Sequence, residues 1–394
     1  MAIAGLRGTG DWGPDERPKN FRETILWRQP NGMTPITGLL SKVGSESVND
    51  PEFAWWEEEL ITIRLTTGAA VADGVTTAVP VVSGATNLVP GDLLLIEKPD
   101  QKTYDNEVLE VVSIQSDTAI TVARGAAGTT PVAIPSGSNL TKIGNVYSEG
   151  TGAPASSTRN PTKFNNYCQI FKTTYELTET AKKTYARTGD PLKNDKKRKM
   201  FDHSIALEWA FLLGRKSETT GSNGKPKRTT QGARSWMQTN VTIFGGGGPT
   251  LGEDTFLTAL YPMFNWNTQA GDERIAFCGN LALNAVNKMA RQSPSTRINQ
   301  DETLKLYGMQ LTKWIFPEGT IYIKTHPLLN NHPLYSASMF FFDFSALKYR
   351  YLRDTFFKDN VQAPDMDTDK GQWLSECGLE FHHEKTMAYL GNVQ

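Results

Sequence analysis

The chain has 394 residues, of which 38% are hydrophobic and 21% charged, and its formal net charge is −1. This globular composition has room for two or three domains, and its near-neutral charge argues against a dedicated nucleic-acid binder, which would be strongly basic. Three widely separated cysteines favour buried thiols in a reducing compartment over a disulfide framework. Because no apolar run approaches the length of a membrane span, we expect a soluble protein made in a cytoplasm.

The first 52 residues are dense in Gly and Pro and show no sustained helical or strand period. They nevertheless carry scattered apolar anchors, which a disordered tail would lack. The pattern favours an extended N-terminal arm lying across other surfaces, with a disordered tail as the alternative. The anchors are Ile25, Leu26, Trp27, Ile36, Leu39 and Leu40.

An aromatic and acidic stretch follows, and residues 60–65 then read as a strand. Between residues 66 and 145 aromatic residues almost vanish, and short β-branched runs alternate with turn signals such as Pro90-Gly91-Asp92. Short, regularly spaced strands without a helix predict a small all-β barrel or sandwich inserted into a larger chain. After a loop rich in Gly, Ser and Ala, residues 167–177 alternate like a strand.

Residues 190–219 predict one long amphipathic helix, which we call the spine. Asp190 is suited to cap it and Pro191 to begin it, since the proline lacks the amide hydrogen that would go unpaired there. The predicted apolar stripe runs through Phe201, Ile205, Trp209 and Leu212. At about 1.5 Å per residue the spine would be roughly 40 Å long, too long for one compact core.

Helical and strand patterns follow one another to the C-terminus. The chain outside the inserted β-domain, which we call the host, is therefore predicted to be α+β rather than a repeating βαβ chain. Helices are predicted over 254–268 and 280–291, and strands over 274–278, 321–325 and 339–342. Residues 345–354 are expected to be helical. The alternating runs 373–382 and 385–390 are expected to pair as a hairpin.

Signals for catalysis or metal binding are weak. The five histidines stand in no ligand-type spacing, and Gly245–Gly248 lacks the G-K-[ST] ending of a phosphate loop. Consecutive acids after Trp55-Trp56 fit an exposed edge better than an acid/base pair, which must stand on two sides of a substrate. We therefore predict a protein that is not an enzyme, with no cofactor and no metal site.

Charged clusters and loop tryptophans are candidates for contact between subunits. The alternative for the charged clusters is a solvated helix face, and the alternative for the tryptophans is core packing. Trp is, however, enriched at interface hot spots. Near-zero net charge favours protein contacts or solvation over DNA for the basic clusters. The candidates are Trp27, Trp55, Trp56, Glu57, Glu58, Glu59, Lys196, Lys197, Arg198 and Trp266.

Taken in order, several stretches resemble tailed-bacteriophage major capsid proteins that carry a domain inserted in the extended loop. The stretches span nearly the whole chain. They include TPITGLLSK (Thr34–Lys42), FAWWEEEL (Phe53–Leu60), PGDLLLIE (Pro90–Glu97), EVLEVVSI (Glu107–Ile114), TVARGAAGTT (Thr121–Thr130), SEG (Ser148–Gly150), NNYCQIFKTTYELTETA (Asn165–Ala181), LEWAFLLGR (Leu207–Arg215), TQGARSWM (Thr230–Met237) and LSECGLEFHHEK (Leu374–Lys385).

This family is similar to the Hong Kong 97-type capsid fold, which implies a division of the chain. Residues 1–52 would form the N-terminal arm, and 53–65 with 146–177 the extended loop and the start of the peripheral domain. Residues 66–145 would be the inserted β-domain, 178–238 the peripheral domain with the spine, 239–345 the axial domain and 346–394 the return to the peripheral domain. The N-terminal region shows no long helical segment that could serve as a fused scaffold, so we expect either a separate scaffolding protein or removal of such a segment ahead of this chain.

The resemblance implies a capsid protein that assembles as hexamers and pentamers into an icosahedral, DNA-containing shell, made in the host bacterial cytoplasm. Expected partners are copies of itself, a portal, scaffolding or decoration proteins, and packaged DNA through non-specific contact, but no membrane. The alternative is a virion-associated or secreted carbohydrate-binding protein whose β-domain binds the sugar. Tyr104 is the only aromatic residue between 66 and 145, which weakens that alternative.

Overall fold

The computed structural model describes residues 34–60, 63–97, 107–154, 156, 158, 160–186, 188–266, 268–269, 271–292, 303–306, 309–316 and 318–394. They divide into two compact units. The smaller unit lies between Trp56 and Lys163, and the larger contains the described residues up to Trp55 and from Phe164 onward. Helices and strands are mixed in the larger unit, which confirms the predicted α+β class.

The helices are α1 (Pro35–Val43), α2 (Glu179–Lys183), α3 (Pro191–Leu213), α4 (Ala233–Trp236), α5 (Glu253–Leu260), α6 (Asn280–Gln292) and α7 (Pro327–Asn330). The strands are β1 (Ser45–Ser47), β2 (Glu52–Glu57), β3 (Arg64–Thr66), β4 (Ala78–Pro80), β5 (Asp92–Glu97), β6 (Val108–Ser116), β7 (Ala119–Ala126), β8 (Asn139–Asn145), β9 (Thr162–Tyr167), β10 (Gln169–Thr178), β11 (Ser217–Thr220), β12 (Pro226–Thr229), β13 (Val241–Ile243), β14 (Glu273–Cys278), β15 (Thr303–Leu306), β16 (Met309–Ile315), β17 (Thr320–Thr325), β18 (Met339–Phe342), β19 (Leu347–Lys358), β20 (Thr368–Phe381) and β21 (Ala388–Gly391).

The smaller unit is a β-barrel with strand order β3-β8-β5-β6-β7-β4, antiparallel at every step. The sheet closes where the Gly68 amide donates to the Pro80 carbonyl at 3.0 Å and the Val82 amide donates to the Thr66 carbonyl at 2.8 Å. Closure removes the unpaired strand edges that an open sheet would expose. Aliphatic side chains fill the interior, among them Leu65, Val79, Leu94, Leu109, Val122 and Leu140.

A buried ion pair organises one end of this barrel. The Glu107 carboxylate accepts from Arg124 Nε at 2.8 Å and Nη2 at 2.7 Å, and from the amides of Gly125 and Val132 at 2.8 and 2.9 Å. Burial alone would raise the pKa of Glu107, but the guanidinium and the two amides outweigh it and hold that pKa below its usual value. Arg124 also donates to the carbonyls of Asp73 and Thr76.

The larger unit contains two main sheets, and the second of these sheets contributes side chains to both apolar cores of the unit. The first has strand order β1-β19-β20-β10 and shares a core with α3, to which Phe171, Leu207 and Phe211 contribute. The second has order β13-β21-β18-β14-β17-β16-β15. Phe256 of α5 and Val286 of α6 belong to the second core. Strands β2 and β9 pair as a separate ribbon where the chain leaves and re-enters this unit.

The spine is α3, and it begins as predicted but ends earlier. Asp190 caps it by accepting from the Leu192 and Lys193 amides at 2.9 and 3.4 Å. Its last residue is Leu213, because the chain folds back so closely that a Cβ on Gly214 or Gly232 would lie 2.4 or 2.5 Å from the Ala210 carbonyl oxygen. Residues 217–219, expected in the helix, belong to β11 instead.

The buried face of the spine also differs from the predicted stripe. The buried side chains are His203, Leu207, Glu208, Phe211 and Leu212. Phe201, Ile205 and Trp209 are only half-buried. The predicted stripe is therefore rotated around the helix axis relative to the buried face. The prediction counted only apolar residues, whereas the buried face also contains a histidine and a glutamate.

Three further predictions were wrong. Residues 35–43, assigned to an extended arm, form α1, whose Ile36, Leu39 and Leu40 side chains are at most 1% exposed. Residues 347–358, expected to be helical from 345 to 354, form β19. The expected C-terminal hairpin is absent among the described pairings of β21, which joins β13 and β18, while β20 joins β10 and β19. A turn at His383, whose φ is +52°, separates the two strands.

Replacing Arg124 with Met tests the buried ion pair. Glu107 would remain a buried, unpaired carboxylate, and we expect a loss of about 3–5 kcal/mol in the stability of the barrel. Hydrogen exchange of the β6 and β7 amides measures this loss. In the matched control Arg64→Met, which breaks a partly exposed pair with Glu97, the change should stay below about 1 kcal/mol.

The same pair predicts an acid dependence of the barrel. Because the pKa of Glu107 is lowered in the folded state, its contribution is complete above the unfolded value near 4.3, and is lost as the pH falls through the folded-state pKa. Exchange rates of barrel amides in the wild type should therefore rise in that acidic window beyond the intrinsic pH effect. The Glu107→Gln variant should show a weaker rise.

Candidate assembly surfaces

The predicted contact residues lie in different surroundings. Trp55 is 7% exposed and belongs to an aromatic cluster of the larger unit. Its ring centroid lies 5.7 Å from that of Trp236, which in turn stacks on Phe381 at 5.8 Å and meets Phe164 edge-on at 5.4 Å. Such contacts stabilise the fold of one subunit. Trp27 lies outside the described residues.

The neighbouring Trp56 points the other way, since successive side chains of a strand alternate between its faces. It is 63% exposed, and the Glu58, Glu59 and Leu60 side chains that follow are exposed too, while Glu57 is half-buried. A large ring beside several carboxylates is the composition expected of an interface anchor with a charged rim. Trp56 and residues 57–60 therefore form one candidate contact surface.

The basic residues of the spine are partly used within the subunit. The Lys196 Nζ atom lies 3.5 Å from the centroid of the Phe357 ring on β19, a cation–π contact. Arg198 pairs with Asp195 one turn earlier at 3.3 Å, and Lys197 is exposed. Exposed pairs of this kind contribute little to stability, so Lys197 and Arg198 stay accessible to a partner.

Trp266, the last candidate, follows α5 and is half-buried. The Lys385 Nζ atom lies 5.1 Å from its ring centroid. The contact holds the ring beside the turn that separates β20 from β21. Part of the indole remains accessible, which makes Trp266 a second, smaller candidate surface of the larger unit.

A buried carboxylate that joins three separate parts of the larger unit was not predicted. The Glu208 carboxylate of the spine is fully buried and accepts from the Ile36 amide at 2.8 Å and the Thr37 amide at 3.0 Å. It also accepts from the Thr37 hydroxyl. It thus holds the N-terminus of α1, where the helix dipole favours a negative charge.

His326 completes this cluster from a third part of the chain. Its Nδ1 accepts from the Leu328 amide at 3.2 Å, so the proton of a neutral ring is on Nε2, which donates to Glu208 Oε1 at 2.9 Å. One carboxylate therefore joins the N-terminal helix, the spine and the loop after β17. The sequence signal was an acid with Ile205, Phe211 and Leu212 three or four positions away and no cation at those positions.

His203 fastens the spine to the first sheet. Its Nδ1 lies 3.1 Å from the Thr173 hydroxyl of β10 and its Nε2 lies 2.7 Å from the Ser375 hydroxyl of β20. Ser375 in turn bonds the Thr355 hydroxyl at 2.7 Å. Burial lowers the pKa of His203, which keeps the ring neutral between these hydroxyl groups.

The remaining reactive groups are placed for packing. Burial raises the pKa of Cys168, Cys278 and Cys377 to about 12, which keeps these thiols protonated and unreactive. Over the described ranges no cluster of three His, Cys, Asp or Glu side chains could hold a metal ion. In the same part of the chain no helix is both long and apolar enough to cross a membrane.

Comparison with known proteins places these surfaces in context. Residues 7–394 match the sequence model of the family described as SU10 major capsid protein. A relative described as the major capsid protein of Pseudomonas phage PaMx41 is 28% identical over 343 residues, which cover 85% of this chain and 78% of the relative.

Two solved structures are similar to the chain along nearly its whole length. One is the capsid of a native GTA particle, with 10% identity, 96% of each chain covered and a TM-score of 0.48. The other is the capsid of the Myoviridae phage XM1, with 10% identity, 95% of this chain and 96% of that chain covered, and a TM-score of 0.47.

Replacing Glu208 with Ala tests the cluster. The amides of Ile36 and Thr37 and the His326 ring would lose their buried acceptor, and we expect a loss of about 3 kcal/mol in the free energy of unfolding. Urea unfolding measures the loss, and hydrogen exchange of α1 shows whether the helix detaches first. Asp202→Ala, which breaks only an exposed pair with Lys199, should change stability by less than about 1 kcal/mol. Equal effects of the two substitutions would contradict the assignment.

Proposed function

Because the chain belongs to the SU10 major capsid protein family, we propose that it builds its shell from hexamers and pentamers held together by many modest contacts. It is a structural component of the virion, the major capsid protein that forms the icosahedral shell of a tailed bacteriophage. The observation that carries this function is the family match, which runs from residue 7 to residue 394 without leaving out a domain.

The subunit is assigned a Hong Kong 97-type organisation. Support comes from the 23-residue spine, which packs on the sheet that contains β10 and β20, and from a second sheet with a second core. The inserted domain, residues 66–145, is assigned to the barrel, which lies in the unit between Trp56 and Lys163. A shell needs no reaction centre, so no enzymatic activity is assigned to the chain.

Multivalency is the mechanism of assembly in this proposal. In a closed shell each subunit meets several neighbours, and contacts that are individually weak gain collective strength once the subunit is held by others. The contacts assigned to these interfaces are Trp56 with Glu57, Glu58 and Glu59, the spine residues Lys197 and Arg198, and Trp266. Lys196 serves its own subunit through Phe357.

Further partners follow from the same function. A shell of this kind is assembled in the host bacterial cytoplasm, acquires a portal, and uses scaffolding or decoration proteins. It meets packaged DNA through non-specific contacts with phosphates, which surface lysines and arginines can make. With a capsid function established by the family, the alternative of a carbohydrate-binding protein is set aside.

Cryo-electron microscopy of the purified protein tests the proposal. We expect closed particles, or tubes, whose maps resolve fivefold and sixfold capsomers of this chain. The subunit in the map should place the spine and both sheets of the larger unit as described above. A protein that stays monomeric at high concentration, in low and in high salt, would contradict the proposed assembly.

The adjacent tryptophans Trp55 and Trp56 separate folding from assembly. Trp55→Ala empties a packed site and should lower the free energy of unfolding by about 3–5 kcal/mol. Trp56→Ala removes an exposed ring and should change it by less than about 1 kcal/mol while reducing the yield of particles severalfold. Denaturant unfolding of dissociated subunits and light scattering of assembly mixtures measure the two effects. If Trp56→Ala assembles as well as the wild type, Trp56 does not belong to an interface between subunits.

A further inference from the structure

We propose that a basic hairpin of one copy docks on an acidic loop of a second copy, so that subunits associate head to tail. The basic hairpin is residues 215–229, which contain β11 and β12, and the acidic loop is residues 359–367, between β19 and β20. The inference rests on the proposed assembly and names one of its interfaces. It uses two segments that the predicted contact residues did not include.

The basic hairpin has five basic residues and one acidic residue. Glu218 is paired with Arg228 at 2.8 Å, and Lys216 donates to the Asn165 carbonyl at 2.9 Å. Lys225 and Lys227 are exposed at the tip and make no ion pair with any described residue. Every side chain of β11 is exposed. A two-stranded hairpin with so little burial is marginally stable in water, so a partner that covers it would stabilise it.

The acidic loop has the opposite character. Asp359, Asp365 and Asp367 are exposed, and residues 359–367 include no basic residue. Asp359 accepts from the Tyr175 hydroxyl at 3.4 Å, whereas the Asp365 and Asp367 side chains have no cationic partner within the described ranges. The exposed Met366, 54% accessible, lies between these two aspartates and adds an apolar contact.

The two segments lie at opposite ends of the spine. The Glu179 amide donates to the Asp367 carbonyl at 3.4 Å, and Lys182 pairs with Asp369 at 2.8 Å, which places the acidic loop beside α2, just ahead of the spine. The basic hairpin begins directly after Gly214, at the other end. A helix of this length extends about 35 Å, which keeps the two segments of one copy apart.

Complementary patches at two ends of one compact unit favour a heterologous contact between copies. Repetition of such a contact closes into a ring when the rotation between copies allows it, which is the geometry of a capsomer. A second copy fits better than DNA, because each copy brings one patch of each sign and the chain as a whole carries −1. Phosphates would neutralise the hairpin but leave the acidic loop unmatched.

Charge reversal of each segment, and of both together, tests the contact. The variants are Lys225→Glu with Lys227→Glu, Asp365→Lys with Asp367→Lys, and a chain with all four changes. Each pair should lower the assembled fraction at least about tenfold in low salt, since like charges then face one another. The chain with four changes restores opposite signs between copies and should recover most of the assembly. Size-exclusion chromatography with light scattering measures the fraction.

Controls separate the contact from folding and from total charge. Lys172→Glu with Lys288→Glu makes the same charge change as the reversed lysine pair at two exposed sites outside both segments and should assemble like the wild type. Circular dichroism and the unfolding midpoint should be close to wild type in every variant, because the reversed side chains are exposed.

The outcomes decide between partners. If reversal of the hairpin weakens retention of a labelled DNA fragment, and the four changes together restore neither retention nor assembly, the hairpin binds nucleic acid and the proposed contact is wrong. Wild-type assembly by all the variants would also overturn it, while leaving the capsid function intact. Failure of the wild-type chain itself to assemble would instead count against the proposed function.

Discussion

The larger unit depends on one buried carboxylate. Glu208 is accepted in the core because four donors from two other segments surround it, namely two amides and a hydroxyl of α1 and the ring of His326. A buried charge without such partners would cost several kcal/mol. The spine, the N-terminal helix and the loop after β17 are therefore mutually required. If any one of the three is displaced, the buried polar groups of the others lose hydrogen-bond partners. This mutual dependence holds the three segments together in one unit, on which weak contacts between subunits can act together.

The barrel also contains a buried carboxylate, which is paired within the barrel itself. Glu107 and Arg124 are buried together and satisfy amides and carbonyls from three segments of the same barrel. Its aliphatic core contains only residues of this unit. An insertion with a closed sheet, its own core and its own ion pair takes no described core residue from the host chain. That independence allows a shell protein to carry an extra domain on a loop without weakening the subunit that bears it.

Side chains suited to assembly stand apart from those that fold the subunit. Trp55 and Trp56 differ by one position on a strand, yet the first packs against Trp236 and the second is exposed. On the spine, Lys196 is held against Phe357 while Lys197 faces solvent. Alternation of strand and helix faces thus lets one segment serve both purposes. The opposite charges at the two ends of the spine extend this division to the unit as a whole.

The sequence by itself determined the α+β class, the start of the spine at Asp190 and Pro191, and the capsid family, because caps, periodicity and the order of motifs are local or linear properties. It did not determine where the spine ends or which face it buries. Gly214 and Gly232 meet across residues distant in the chain, and Glu208 and His203 are buried only because α1, His326 and the hydroxyls of β10 and β20 supply partners. Likewise β19 is a strand because it lies between β1 and β20. Pairing between distant segments supplies energies larger than local propensity, and these energies exist only once the tertiary structure has formed.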